Sequence, residues 1–339
     1  MRLFITLLLI SLNASAVLPV VDLSTAPPKA ATTNQSLIFD APGPNPGPGY
    51  QLPYSNGQAK IRVGSGVNFT DVAYTDLIIA PLLNSVHPHC FIGNIKGSIS
   101  TSTLADLKTA ATSNDGGIEN RSSYWFPCLI DTRTNSIVPF KVRPIIYYNG
   151  PFAEKWFDDG MELLVDKADN KNSNDWYLAQ KKIIWECGGV GSPLIPLICG
   201  EGELLRLKLL FPSCSDGRLS SPDHYSHLAY AGYYANGDKL TAKDTLPNQC
   251  PRTHPIRLPD LSFIFGFRMN DPAMINYVRL SSDHIGDPAG ISAHADAFEA
   301  HGPAFKVHIL NNCLKAKMDC GGKNIGQVNG VYKVLGEVN

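Results

Sequence analysis

Leu204-Leu-Arg-Leu-Lys-Leu-Leu-Phe211 is the stretch on which the fold reading turns. Arg206 and Lys208 alternate with leucines, the two-residue period of a strand with one face buried and the other wet. Working outward, residues 61–63, 140–148, 162–165 and 261–267 mix β-branched and aromatic side chains between turn signals, and also read as strands. Segments 152–160, 179–185 and 304–314 read as short helices. The chain carries 25 prolines and 29 glycines, a supply of turns that suits β structure better than a helical bundle. The expected fold is mainly β: a single β-sandwich-like domain with long disulfide-stapled loops and a few short helices.

The start of the chain has the anatomy of an export leader. Arg2 precedes an apolar run from Leu3 to Leu12, broken by Thr6 and Ser11, and Ala14-Ser15-Ala16 is a small-x-small cleavage pattern. Residues 1–16 are therefore expected to be a signal peptide cut after Ala16, giving a secreted, extracellular protein. The run is well short of the roughly 20 residues a membrane span needs, and no later stretch is long and apolar enough. Residues 17–57 are rich in Pro, Gly and Thr and include Ala41-Pro-Gly-Pro-Asn-Pro-Gly-Pro-Gly49. They read as a linker or extended stalk, with a loop laid across the domain as the alternative. The β-rich secreted domain then occupies 58–335, and 336–339 is a tail.

Eight cysteines, none in Cys-x-x-Cys spacing, suit an oxidising compartment better than a zinc ribbon. Cys187 with Cys199 and Cys313 with Cys320 are close in sequence, and Cys214 with Cys250 bracket the loop carrying the densest motif; these pairs are expected, leaving Cys90 with Cys128. Asn34, Asn68 and Asn120 open glycosylation tripeptides, so a glycoprotein is a further expectation. With 29 basic and 30 acidic residues the net charge is -1, and there is no basic stripe to bind nucleic acid. Nothing in the pattern speaks to oligomeric state.

Histidine placement carries the functional signal. His87-Pro-His89, if extended, projects both imidazoles from one face. Asp223-His224-Tyr-Ser-His227 would bring its two histidines together on a helical turn. His254 follows Cys250-Pro-Arg-Thr, and Ser281-Ser-Asp283-His284 leads through a glycine-containing loop to His294-Ala-Asp296. Imidazole beside carboxylate is the elementary acid–base unit. Asp223, His224, His227, Asp283, His294 and Asp296 are accordingly the candidate catalytic residues. His87, His89, His254, Tyr124 and Trp125 are the candidate substrate-binding residues. Several neutral imidazoles also suit a divalent metal, for which His87, His89, His227 and His294 are the candidate ligands. Histidines that merely hydrogen-bond backbone and knit loops together remain the plain alternative. No Gly-x-Ser-x-Gly, phosphate loop, dinucleotide fingerprint or His-Glu-x-x-His occurs.

The order of motifs resembles the secreted family called domain of unknown function nineteen-ninety-six. Thr75-Asp-Leu-Ile-Ile-Ala-Pro81, His87-Pro-His-Cys-Phe-Ile-Gly-Asn94 and Ser122-Ser-Tyr-Trp-Phe-Pro127 stand in family order. So do Phe211-Pro-Ser-Cys-Ser-Asp-Gly217 and Ser221-Pro-Asp-His-Tyr-Ser-His-Leu-Ala-Tyr230. Cys250-Pro-Arg-Thr-His254, Leu280-Ser-Ser-Asp283 and His294-Ala-Asp-Ala-Phe298 complete the match. Ser215 stands where the family has tryptophan, Ala297 precedes Phe298, and Ala300-His301 replaces Gly-Trp. Two aromatic surfaces are thus missing while the His and Asp positions are kept. The resemblance implies a secreted protein and supplies no reaction. Two functions fit the residues: an enzyme acting on extracellular polysaccharide by hydrolysis, elimination or metal-dependent chemistry, or a non-catalytic module binding carbohydrate or a cell surface.

Overall fold

The computed structural model describes residues 69–114, 120–166, 182–200, 202–231 and 249–317. It also describes Val21, 23–26, Lys29 and short pieces at 60–64, 234–235, 238–239, 326–328 and 331–333. The expected leader, most of the expected linker and the tail lie outside the described residues.

Alternation in the 204–210 stretch is realised as a strand. Leu205, Leu207 and Leu209 are buried, while Arg206 and Lys208 reach the carboxylate of Glu186 on the opposite face. In chain order, the strands of the two larger sheets are β1 (Lys60–Gly64), β2 (Asp71–Asp76), β3 (Ala80–Gly93) and β4 (Ser123–Pro127). There follow β5 (Ile145–Asn149), β6 (Glu162–Val165), β7 (Ile183–Cys187) and β8 (Val190–Ser192). Last come β9 (Leu204–Leu210), β10 (Asp260–Arg268) and β11 (Ala295–Phe298). One sheet has the order β1-β5-β10-β9-β7-β8 and the other β2-β3-β4-β11-β6, with every pairing antiparallel.

The sheets face each other through aromatic side chains. Phe126 of β4 stacks on Phe265 of β10 with centroids 4.2 Å apart, and Tyr124 meets Phe263 edge-on at 5.4 Å. Offset and edge-to-face pairs of this kind add to the burial of their large apolar areas. Val21, within the segment read as a linker, is 3% exposed and belongs to this core, with Leu23 and Ala26 packed against it.

The five-stranded sheet is also covered on its other face. There Trp125 and Phe91 stack at 5.7 Å and join Leu77, Ile78, Leu107, Leu164 and Ala300 in a second, smaller cluster. Helix α1 (Leu104–Thr109) supplies Leu107; Thr103 and Asp106 close its first turn as a reciprocal capping box. Double coverage is why every residue of β4 is buried. Helix α2 (Pro303–His308), running on into the wider turns of Ile309–Lys315, matches the expected helix at 304–314. Residues 152–160 form turns rather than a helix. Residues 183–185 belong to β7, where Ile183, Trp185 and Cys187 alternate inward, a period of two that overrides the helical reading.

Disulfides Cys90–Cys128, Cys187–Cys199 and Cys214–Cys250 form as expected; Cys320 lies outside the described residues. Of the expected glycosylation tripeptides, Asn120 is 0% exposed, and its Oδ1 lies 2.9 Å from His301 Nε2, so no glycan can be attached there. His301 Nδ1 in turn lies 2.8–2.9 Å from the carboxylate oxygens of Glu299 and from Ser122 Oγ, a fully enclosed polar knot. Cys90–Cys128 ties β3 to the residue after β4 across a separation of 38 residues. Replacing both cysteines by alanine is expected to lower stability by about 4 kcal/mol through the freed unfolded chain. Urea unfolding without reductant measures the loss; an unchanged midpoint would show that the bridge adds nothing.

Candidate metal centre

The centre lies on the outer face of the five-stranded sheet, at one end of β3, β4 and β11. Register places His89 of β3 opposite Pro127 of β4, and Asp296 of β11 opposite Trp125. Continuing that register to the residue just before β11 brings His294 level with Pro127 as well. Two imidazoles therefore lean toward each other over one proline, while His87, two residues before His89, shares its face. His87, His89 and His294 are 7%, 1% and 6% exposed. Val86, next to His87, stands out into solvent, so the cluster sits just below the surface.

Hydrogen bonds decide what the rings present. His89 Nδ1 is 2.8 Å from the Thr75 carbonyl oxygen, and His294 Nδ1 is 2.8 Å from the Ser292 carbonyl oxygen. A carbonyl only accepts, so each Nδ1 carries the proton and donates, and each neutral ring keeps its lone pair on Nε2. Those Nε2 atoms stand 3.4 Å apart, and His87 Nε2 is 3.1 Å from His89 Nε2. The lone pairs of His89 and His294, facing at this range, repel unless a cation lies between them. Two ligands on a tetrahedral ion with bonds near 2.1 Å stand about 3.4 Å apart, which is the spacing found. Metal-ligating histidines commonly donate their second N–H to a carbonyl in this manner.

Local backbone makes these partners available. Pairing of β2 with β3 shifts register between Ala73 and Thr75 and again before Asp76, and such bulging re-aims backbone groups like the Thr75 carbonyl. Asp283 organises the loop before His294. Its carboxylate accepts from the N–H groups of Leu280, Gly290 and Ser292 and from the Ser292 hydroxyl. Gly290 has φ +82°, and a Cβ there would come within 2.7 Å of Trp185 Nε1, so glycine is required.

Electrostatics keep the His87 and His89 rings uncharged. Burial first, then the charges of His89, His294 and His284, hold His87 well below the ordinary imidazole value. Burial likewise lowers His89, to about 4, against the opposing pull of Asp76. Neutral imidazole is the form that binds metal. Asp296 is pushed well up, by burial and then by the charges of Asp76 and Glu162.

The remaining candidate residues lie elsewhere. His224 Nδ1 bonds Glu162 Oε2 at 2.9 Å. His227, expected as a ligand, has Nε2 donating to the Glu162 carbonyl at 2.8 Å and Nδ1 beside Ser221 Oγ at 3.0 Å. Both its nitrogens are thus engaged, and it takes no part in the cluster. Asp223 accepts from Ser221 Oγ and from the Tyr225 and Ser226 N–H groups, a turn-building role that holds its carboxyl below the usual range. His254 bonds the Ser226 carbonyl at 3.0 Å. Asp283 serves the loop described above. Tyr124 and Trp125 are 1% and 0% exposed, so neither ring has a face to offer a sugar; alternation on a doubly covered strand buried both. Asp76 was not among the sequence candidates, yet its Oδ2 lies 4.0 Å from His89 Nε2. No local spacing marks it, because only the β2–β3 pairing brings it there.

Depressed histidines make stability depend on pH in the metal-free protein. Unfolded His89 titrates near 6.5 and folded His89 near 4, so between these values the unfolded chain holds a proton that the folded one lacks. Stability is then lost as pH falls from 6.5 toward 4, by on the order of 3 kcal/mol from this group. His87 acts in the same sense, while Asp296, raised when folded, loses its contribution as pH rises through its folded value. Urea midpoints at pH 7 and pH 5 are expected to differ more for wild type than for His89→Gln; equal slopes would contradict the neutral-ring arrangement.

No curated protein and no solved structure matches this chain. Residues 76–300, a span that begins at Asp76 and holds His87, His89, His294 and Asp296, match the family described as Domain of unknown function (DUF1996). With more than half its length covered by that match, the chain belongs to the DUF1996 family.

Proposed function

We propose that this is an exported protein that binds a transition-metal ion through His87, His89 and His294. The observation that carries the reading is the pair of Nδ1–H donors committed to backbone carbonyls, which leaves two Nε2 lone pairs converging at 3.4 Å. Imidazole donors suit zinc, copper, iron or nickel rather than calcium or magnesium. Three disulfides among the described residues, and the absence there of any helix long and apolar enough to cross a membrane, are in keeping with an oxidising, extracytoplasmic setting. The leader over 1–16 and the domain starting near residue 58 belong to the same proposal.

A three-histidine site can leave a coordination position for water, and zinc lowers the pKa of such a water to about 7. This is the form in which chemistry on an extracellular polysaccharide would be carried out here, and of the reactions considered the metal-dependent one has geometric support. The aromatic platform expected for sugar is enclosed, so metal binding is the part of the function that the geometry favours.

Zinc titration of chelator-stripped, disulfide-intact protein is the test. One ion per chain is expected, and zinc at about 100 times its Kd should raise unfolding stability by about 2.7 kcal/mol. His294→Gln and His89→Gln should abolish both effects, while His254→Gln leaves them unchanged. Failure to retain zinc, cobalt or copper would leave the histidines as ties between loops.

A further inference from the structure

Asp296 Oδ2 is enclosed in a residue 2% exposed, and among the described residues no donor reaches it. Its neighbour across the strand pair, Trp125, has an indole Nε1 that is likewise without a partner. Asp76, 5% exposed, is clamped by Oδ1, which accepts from the N–H groups of Ile78 and Ile79 at 2.9 Å each. That clamp leaves Oδ2 turned toward His89.

Donor atoms of Asp76, His89 and Asp296 lie within 4.8 Å of one another, as do those of His87, His89 and His294. The two sets share His89. Because His89 Nδ1 donates to Thr75, only Nε2 remains, and it has a single lone pair to give. A single lone pair serves a single ion, so the overlapping sets describe one centre and not a pair of metals.

Charge supports the same conclusion. A divalent ion held by neutral imidazoles alone would bring two uncompensated positive charges into a buried site, at high cost. Two buried carboxylates with no cationic side chain in the donor set would be costly in the opposite sense. Together they cancel. Resting on the metal-binding reading, we infer that Asp76 and Asp296 are the oxygen donors of the same centre, making it a mixed nitrogen–oxygen site selective for one divalent cation. Hard carboxylate oxygens disfavour cuprous copper, which prefers soft sulfur ligands and would leave one negative charge over.

The experiment uses the full, disulfide-intact chain with zinc as probe. Wild type should retain one zinc ion, and Asp76→Asn and Asp296→Asn, near-isosteric changes, should each weaken zinc binding about 10–100-fold. With cobalt in place of zinc, both variants should shift the visible absorption bands, which a change in fold packing alone would not do. Unchanged affinity and spectra in both variants, or two zinc ions per wild-type chain, would overturn the inference while leaving the three-histidine site standing. No zinc bound to wild type would instead sink the metal reading on which it rests. Should either variant fail to fold, competition on wild type decides: zinc retained against excess cuprous copper under an inert atmosphere supports the oxygen donors, and displacement by cuprous copper overturns them.

Discussion

Two hydrogen bonds, His89 Nδ1–H to the Thr75 carbonyl and His294 Nδ1–H to the Ser292 carbonyl, set the geometry of the histidine cluster. Each fixes a tautomer, and with it the atom on which a lone pair resides. Each also fixes ring orientation, since the ring plane must point one edge at the carbonyl. With both in place, the Nε2 edges of the two rings approach to 3.4 Å above Pro127. The bulged β2 strand and the loop built on Asp283 carry those carbonyls to the rings.

The sandwich supplies the surroundings. Because the five-stranded sheet is covered on both faces, its outer side is dry enough to keep imidazoles neutral and to make an unpaired carboxylate oxygen conspicuous. An exposed sheet face would have solvated the same residues and erased both effects. The Cys90–Cys128 bridge begins one residue after His89 and ends one residue after Pro127, so it pins the two strands beneath the cluster. Stability and site geometry therefore draw on the same few residues of β3 and β4.

Several polar groups that the sequence marks as candidates lie apart from the centre and are engaged in building turns. Asp283 spends its acceptor capacity on backbone and Ser292, and Asp223 does likewise in its own turn. His224 and His227 bind Glu162 on β6. These satisfied groups rigidify long loops that cross the sheet ends, where unsatisfied backbone would otherwise be buried.

The sequence by itself determined the strand character of 204–211, the three observed disulfide pairings and the shared face of His87 with His89. The strand and the shared face rest on a period of two; Cys187–Cys199 joins neighbours along the chain, Cys214–Cys250 brackets a motif-bearing loop, and Cys90–Cys128 follows by elimination. It also singled out His294 and Asp296, again by a period of two. Tertiary structure alone decided which histidines meet, because His89 and His294 are 205 residues apart and join only through their common neighbour β4. It likewise decided that Tyr124 and Trp125 are core, since burial depends on what covers a sheet face and not on the strand's own pattern. Asp76 was illegible for the same physical reason: a lone carboxylate at a strand end becomes a candidate ligand only when strand pairing sets it beside an imidazole.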